Sequence, residues 1–221
     1  MKTKILSEDF INELRRLFDK HLDKFEISAW QTNQDILKNL FKISDDKHIQ
    51  TMRHTIKDQS VKNLIASEFK DIHDEQKIRK AFINYQRGYL PISMHIDIPA
   101  DNPNENGYTF LIPLTFEKNI QTVAWKQETN GAILDYWIEK INWSNKPKLN
   151  NIGKQLDLSN GYFFKPEIVN YIEVDGIGEW FKGNVFGFKR SQIHCSNNFR
   201  NYGIPYKDYI VIQTEEMGIF Y

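Results

Sequence analysis

The triplet His95-Ile96-Asp97, taken with a histidine far downstream in Ser191-Gln192-Ile193-His194-Cys195-Ser196, has residue types and a spacing that can do chemistry. On a β-strand, residues i and i+2 project to one face, so His95 and Asp97 can converge on a single point. His194, arriving from another strand, would complete a set of two histidines and one carboxylate. Such a set leaves half of an octahedron open, which is how non-haem Fe(II) holds a co-substrate and oxygen together. The chemistry expected of these residues is oxygen activation.

The same His-x-Asp pattern occurs a second time, at His21-Leu22-Asp23. That copy falls in a predicted helix, where residues i and i+2 point about 200° apart and cannot share a ligand. It reads as a solvated helix face. His95-Ile96-Asp97 lies in a strand context instead, so local structure separates two motifs that residue type alone does not.

The elements that must position these residues follow from the hydrophobic pattern. Residues 1 to about 80 read as helical. Ser7 is a plausible N-cap for a helix carrying Phe10, Leu14, Leu17, Phe18, Leu22 and Phe25. Thr32 and Ser60 are candidate caps for two more, with Ile36, Leu37, Leu40 and Phe41 on one and Val61, Leu64, Ile65 and Phe69 on the other. From residue 81 the texture becomes strand-like, at Ala81 to Tyr85, Ile92 to Ile98, Tyr108 to Phe116, Thr122 to Trp125, Asn184 to Phe188, Gln192 to Cys195 and Asp208 to Thr214. Many short strands separated by Gly, Pro and Asn loops predict an antiparallel sandwich or jelly roll. The stretch from about 127 to 180 interrupts this rhythm and reads as an insertion of the lid or binding-loop kind.

Bulk properties narrow the function further. The 221 residues suit one domain with one substantial core. Twenty-nine basic residues balance twenty-nine acidic ones, so no global field points to nucleic acid or an anionic membrane. The single cysteine, Cys195, leaves no internal disulfide and no cysteine-rich zinc site. With no secretory signal and no run of apolar residues long enough to span a bilayer, the expectation is a cytoplasmic protein.

The run Asn84-Tyr85-Gln86-Arg87-Gly88, His95-Ile96-Asp97, Thr109-Phe110-Leu111-Ile112-Pro113-Leu114 and Gly187-Phe188-Lys189-Arg190-Ser191-Gln192-Ile193-His194-Cys195-Ser196-Asn197-Asn198 resembles the Fe(II)/2-oxoglutarate-dependent oxygenase superfamily. The texture is nearest its prolyl-hydroxylase-like and phytanoyl-CoA-hydroxylase-like branches. The resemblance covers residues 81 to 215 and is specific at the two metal strands. It implies a mainly β fold with flanking helices: a double-stranded β-helix (a jelly roll of the cupin-like kind) on which the N-terminal helices pack. It also implies Fe(II) held by His95, Asp97 and His194, with 2-oxoglutarate and O2 as co-substrates. His48, His54 and His73 match nothing in that pattern and read as surface residues.

2-Oxoglutarate carries a second carboxylate, which needs a cation at the far end of its pocket because an unpaired buried carboxylate is costly. The family places that cation at the start of the last barrel strand, which makes Lys207 the first choice. Arg200 is the rival: a guanidinium grips a carboxylate bidentately, but this one falls in a turn. The resemblance also implies a co-substrate contact from Tyr85, against a competing role in core packing. Thr109 and Leu111 share one face of their strand and are expected to line the pocket. Cys195 alternates away from His194 and reads as a buried small residue. The aromatics Trp137, Trp143, Tyr162, Phe163, Phe164, Trp180 and Phe181 are candidates for a substrate lid, most of them for packing.

The expected reaction is hydroxylation of a C–H bond in a small molecule or a peptidyl or amino-acid side chain, with release of succinate and CO2. Two other readings compete. One is a jelly-roll binding or structural protein with an incidental metal site, which the presence of all three ligands opposes. The other is a cupin-like metalloenzyme that does not use 2-oxoglutarate, which the carboxylate of His95-Ile96-Asp97 opposes.

Overall fold

The computed structural model describes residues 1–27, 51–92, 95–97, 107–128 and 173–214. The expected helix capped by Thr32, the helix about Ile133 to Ile141, His48 and the aromatics between Trp137 and Phe164 lie outside the described residues.

Among the described residues, ten strands and three α-helices follow in chain order. They are β1 (Lys2–Ile5), α1 (Glu8–Lys20), β2 (Glu26–Ile27), β3 (Thr51–Thr55), α2 (Gln59–Phe69), α3 (Glu75–Lys80), β4 (Phe82–Gly88), β5 (Tyr108–Pro113), β6 (Gln121–Glu128), β7 (Val174–Glu179), β8 (Asn184–Lys189), β9 (Gln192–Ser196) and β10 (Lys207–Gln213). Two short 3-10 helices, Leu22–Lys24 and Phe199–Tyr202, fill connections. The large sheet runs β1-β8-β5-β10-β4-β3-β2 and the small one β7-β6-β9. Every strand pairing is antiparallel. From β4 onward the chain passes back and forth between the sheets, the path of a jelly roll.

Helix α1 forms where its pattern predicts. The Ser7 hydroxyl accepts the Phe10 amide, Glu8 and Asp9 favour the N-terminal end of the dipole, and Phe10, Ile11, Leu14 and Phe18 are buried on one face. With α2 and α3 it covers the outer face of the large sheet. Ile83, Tyr85, Phe110, Ile112, Val185, Ile210 and Ile212 point into that layer. The alternate residues Leu111, Phe186, Phe188, Tyr209 and Val211 point the other way, into a second core between the sheets that Ala124, Trp180 and Phe199 complete. Gly178 permits this inter-sheet packing, because a Cβ there would lie 2.4 Å from the Phe186 ring.

Several expectations need correction. The first 80 residues are not wholly helical. β1 pairs with β8, and β3 pairs with β4. Asp58, not Ser60, caps α2, its carboxylate accepting the Ser60 amide and hydroxyl. The stretch from 127 to 180 is not one insertion throughout: β6 runs into it to Glu128, and β7 and Trp180 return to the fold at its end. His21 is not on a helix face, since α1 stops at Lys20 and His21 caps it. Its ring stacks on His54 and Tyr85. Nor are His54 and His73 surface residues. Both are half-buried, and His73 is pushed down to about 4, chiefly by burial and then by Lys2.

Candidate metal centre

The segment expected as a strand from Ile92 to Ile98 makes only an isolated bridge at His95 within its described residues. That bridge is enough to build the site. His95 and His194 exchange both backbone N–H to O bonds at 2.9 Å, so the two side chains leave neighbouring backbones on one side. Their rings lie 4.1 Å apart between centroids. Two residues on, the Asp97 amide donates to the Arg190 carbonyl, and the Arg190 guanidinium returns bonds of 2.7 and 3.2 Å to the Asp97 carbonyl.

The donor atoms converge. His95 Nε2 and His194 Nε2 each lie 3.5 Å from Asp97 Oδ1, and one ligand atom from each residue falls within 4.8 Å of the other two. Two of the three donors, His194 and Asp97, are aimed by a further contact. His194 Nδ1 lies 2.9 Å from the Gln192 carbonyl, which can only accept, so Nδ1 carries the proton and Nε2 keeps its lone pair. The Phe188 ring packs 4.2 Å from the His194 ring. The Thr109 hydroxyl donates to Asp97 Oδ2 at 2.5 Å, leaving Oδ1 toward the histidines.

Electrostatics favour the ligating forms. Burial by itself would raise the Asp97 carboxyl, but His194 and then His95 hold it well below the usual carboxylate range. Burial and the neighbouring His95 ring lower His194, against the pull of Asp97 and the Gln192 carbonyl, which favours the neutral, ligating imidazole. A compact set of two imidazole nitrogens and one carboxylate oxygen fits a divalent first-row metal with open positions.

Lys207 occupies the other end of the inter-sheet core. It opens β10 and is 2% exposed. Its Nζ lies 4.3 Å from the centre of the Trp180 ring, 5.3 Å from Phe199 and 5.4 Å from Tyr209. Among the described residues it has no hydrogen-bond or ion-pair partner. Burial pushes it down to about 7, with Cys195 a minor opposing influence. The Tyr209 hydroxyl, from the same face of β10, is likewise buried without a hydrogen bond.

The remaining expected residues divide. Leu111 faces the inter-sheet core, and Thr109 reaches Asp97, so its observed contact is with a candidate ligand. Tyr85 is not brought to the site. It points to the helix layer, 1% exposed, packed against Phe18 and His21. Arg200 is exposed in its 3-10 turn and donates to the Pro205 carbonyl. Trp180 belongs to the aromatic surround of Lys207, whereas Phe181 is 45% exposed. Cys195 is buried and reduced, with burial pushing its thiol up to about 12.

Sequence reasoning overlooked Arg190, Gln192, Phe188 and Tyr209. Parity exposes Tyr209, since residues 207 and 209 share a face of β10. Arg190 and Gln192 act through backbone carbonyls, which no residue pattern announces.

No family model and no curated protein matches the chain. Solved structures do. The non-haem α-ketoglutarate-dependent carbocyclase SnoK from nogalamycin biosynthesis superposes with a TM-score of 0.53 at 12% identity, covering 95% of this chain and 76% of that one. At that identity the likeness is one of fold. Looser matches include a prolyl-4-hydroxylase from Pseudomonas putida (TM-score 0.46, 7% identity, 97% and 92% of the two chains). HygX from Streptomyces hygroscopicus, with nickel and 2-oxoglutarate bound, gives 0.47 at 7% identity, covering 98% of this chain and 83% of that one.

Proposed function

We propose that this chain is an Fe(II)- and 2-oxoglutarate-dependent oxygenase that hydroxylates a C–H bond of a small molecule or an amino-acid side chain. The observation that carries the reading is the convergence of His95, Asp97 and His194 on one point. The buried Lys207 side chain in the adjoining core, whose ammonium has no hydrogen-bond or ion-pair partner among the described residues, supports it. We read the fold as a double-stranded β-helix within a single domain. Its eight strands would be β4, the His95 segment and β5 to β10, in the order β4-β10-β5-β8 on one side and His95-β9-β6-β7 on the other.

In this reading His95 Nε2, His194 Nε2 and Asp97 Oδ1 hold the metal. Thr109 and the Gln192 carbonyl keep Asp97 and His194 aimed, as second contacts of metal ligands generally do. Lys207 pairs with the distal carboxylate of 2-oxoglutarate, the Tyr209 hydroxyl donates to the same group, and Leu111 lines the channel between. The aromatic surround excludes water and strengthens the ion pair. When bound, Fe(II) with 2-oxoglutarate and O2 supplies the oxidising power, yielding succinate and CO2. A free buried thiol and a ferrous centre both suit a reducing cytosol.

Purified protein supplied with Fe(II) and 2-oxoglutarate should form succinate slowly on its own and faster with a true substrate. Absence of both co-substrate binding and uncoupled turnover would overturn the reading. Metal binding without 2-oxoglutarate binding would point to a cupin-like metalloenzyme, and no metal binding to a jelly-roll binding protein.

A further inference from the structure

The neighbours of Lys207 in the chain are held by one side chain on the opposite face of the large sheet. The Arg87 guanidinium donates to both carboxylate oxygens of Asp208, Nε to Oδ1 at 2.7 Å and Nη2 to Oδ2 at 2.9 Å. Its carbon also lies 4.1 Å from the centre of the Tyr206 ring. Residues 206 and 208 flank Lys207, so Arg87 grips β10 on both sides of the buried lysine.

Asp208 is tied down at every polar atom. Its side chain is 1% exposed and takes a third charge-assisted bond, 2.9 Å from Arg15 on α1. Its amide donates to the Thr115 hydroxyl at 2.8 Å. Its carbonyl accepts the amides of Leu114 and Thr115 at 2.8 and 3.0 Å. Among the described residues the Lys207 ammonium meets rings alone, and ring faces set distance more loosely than hydrogen bonds do. The placement of Nζ therefore depends on where the backbone puts the Lys207 Cα.

We propose that Arg87 and Asp208 form a clamp outside the inter-sheet core that positions Lys207, making Arg87 a positioning residue for recognition of the anionic co-substrate. The inference rests on the reading of Lys207 given above. A clamp that only adds stability and one that places the lysine make different predictions. Arg87→Gln leaves the buried Asp208 carboxylate short of its bidentate partner, so it lowers both stability and placement. Adding Asp208→Asn removes a buried charge that Arg15 alone would then compensate and restores part of the stability, but not the grip on residues 206 and 208.

The test uses the full chain loaded with Ni(II), 2-oxoglutarate affinity read from tryptophan fluorescence, and hydrogen exchange across residues 204–210. Arg87→Gln should weaken 2-oxoglutarate binding by about tenfold or more while Ni(II) affinity stays within about twofold. Exchange should quicken over 204–210 and not over β5. Arg15→Gln, which leaves the Arg87 grip on both flanking residues, should have the smaller effect. In Arg87→Gln/Asp208→Asn the melting temperature should recover in part while co-substrate affinity stays low. Affinity that follows melting temperature through all three variants, or unchanged exchange over 204–210, overturns the clamp. Loosened exchange over 204–210 in a protein whose wild type binds no 2-oxoglutarate keeps the clamp and removes the functional reading.

Discussion

The two ends of the inter-sheet core are built on opposite terms. At the metal end each part is braced by protein: His194 by the Gln192 carbonyl, Asp97 by Thr109 and Arg190, and the His95 backbone by that of His194. At the Lys207 end an ammonium and a phenol are buried, and among the described residues the ammonium meets ring faces alone. Satisfied polar groups hold a geometry before any ligand arrives, whereas an unpaired buried cation costs stability until an anion reaches it. In the proposed reading, the metal end is made for permanence and the anchor end for a ligand that comes and goes.

That contrast can be broken from either side. Asp97→Ala should lower metal affinity by more than about 100-fold, read by titration with Ni(II). Lys207→Met should weaken 2-oxoglutarate binding by about 100-fold or more and leave metal affinity intact. The same substitution should raise thermal stability, because it removes a buried charge. That gain should be full below pH 7 and fade as pH rises through the lysine's folded value of about 7 toward its ordinary 10.5. For the same reason, 2-oxoglutarate affinity in the wild type should be flat below pH 7. Above it, affinity should fall about tenfold per pH unit, as the empty site releases the proton that the anion needs. Thr109→Val should cost about tenfold in metal affinity, acting only through Asp97. Arg200→Ala should change neither affinity measurably, and a marked loss of co-substrate binding would transfer the anchor role from Lys207.

The sequence was legible where local pattern and burial agreed. α1 carries a cap, a dipole-compatible first turn and a single apolar stripe, and it forms within those limits. Apart from β7, the strands from β4 onward are short apolar runs between turns, and the pattern locates them to within a few residues. β7 was lost because Val174-Asp175-Gly176-Ile177-Gly178-Glu179 has small residues where a strand ordinarily shows bulk, and Gly178 is small because Phe186 needs the space. β1 and β3 are short, partly polar strands beside strong helices, and their pairing partners lie far away in the chain.

The same reasoning explains the site. Two ligands two residues apart, in a strand context, carry their geometry with them. Tyr85 was misplaced by parity alone, since a one-residue change of register reverses the face of every side chain. Lys207 opens β10, as its position in the sequence leads one to expect, and is buried there. The partners that aim or hold these residues, namely Gln192, Arg190, Arg87 and Asp208, act across the fold or through carbonyls, and only the assembled structure brings them into view.

The central claim is that one metal point and one buried cation together bind 2-oxoglutarate. Calorimetric titration of 2-oxoglutarate into the full chain, with and without Ni(II), tests it most directly. Binding at one equivalent that requires the metal and disappears in Lys207→Met is the predicted result. No binding, or binding of equal strength without metal, would contradict the account.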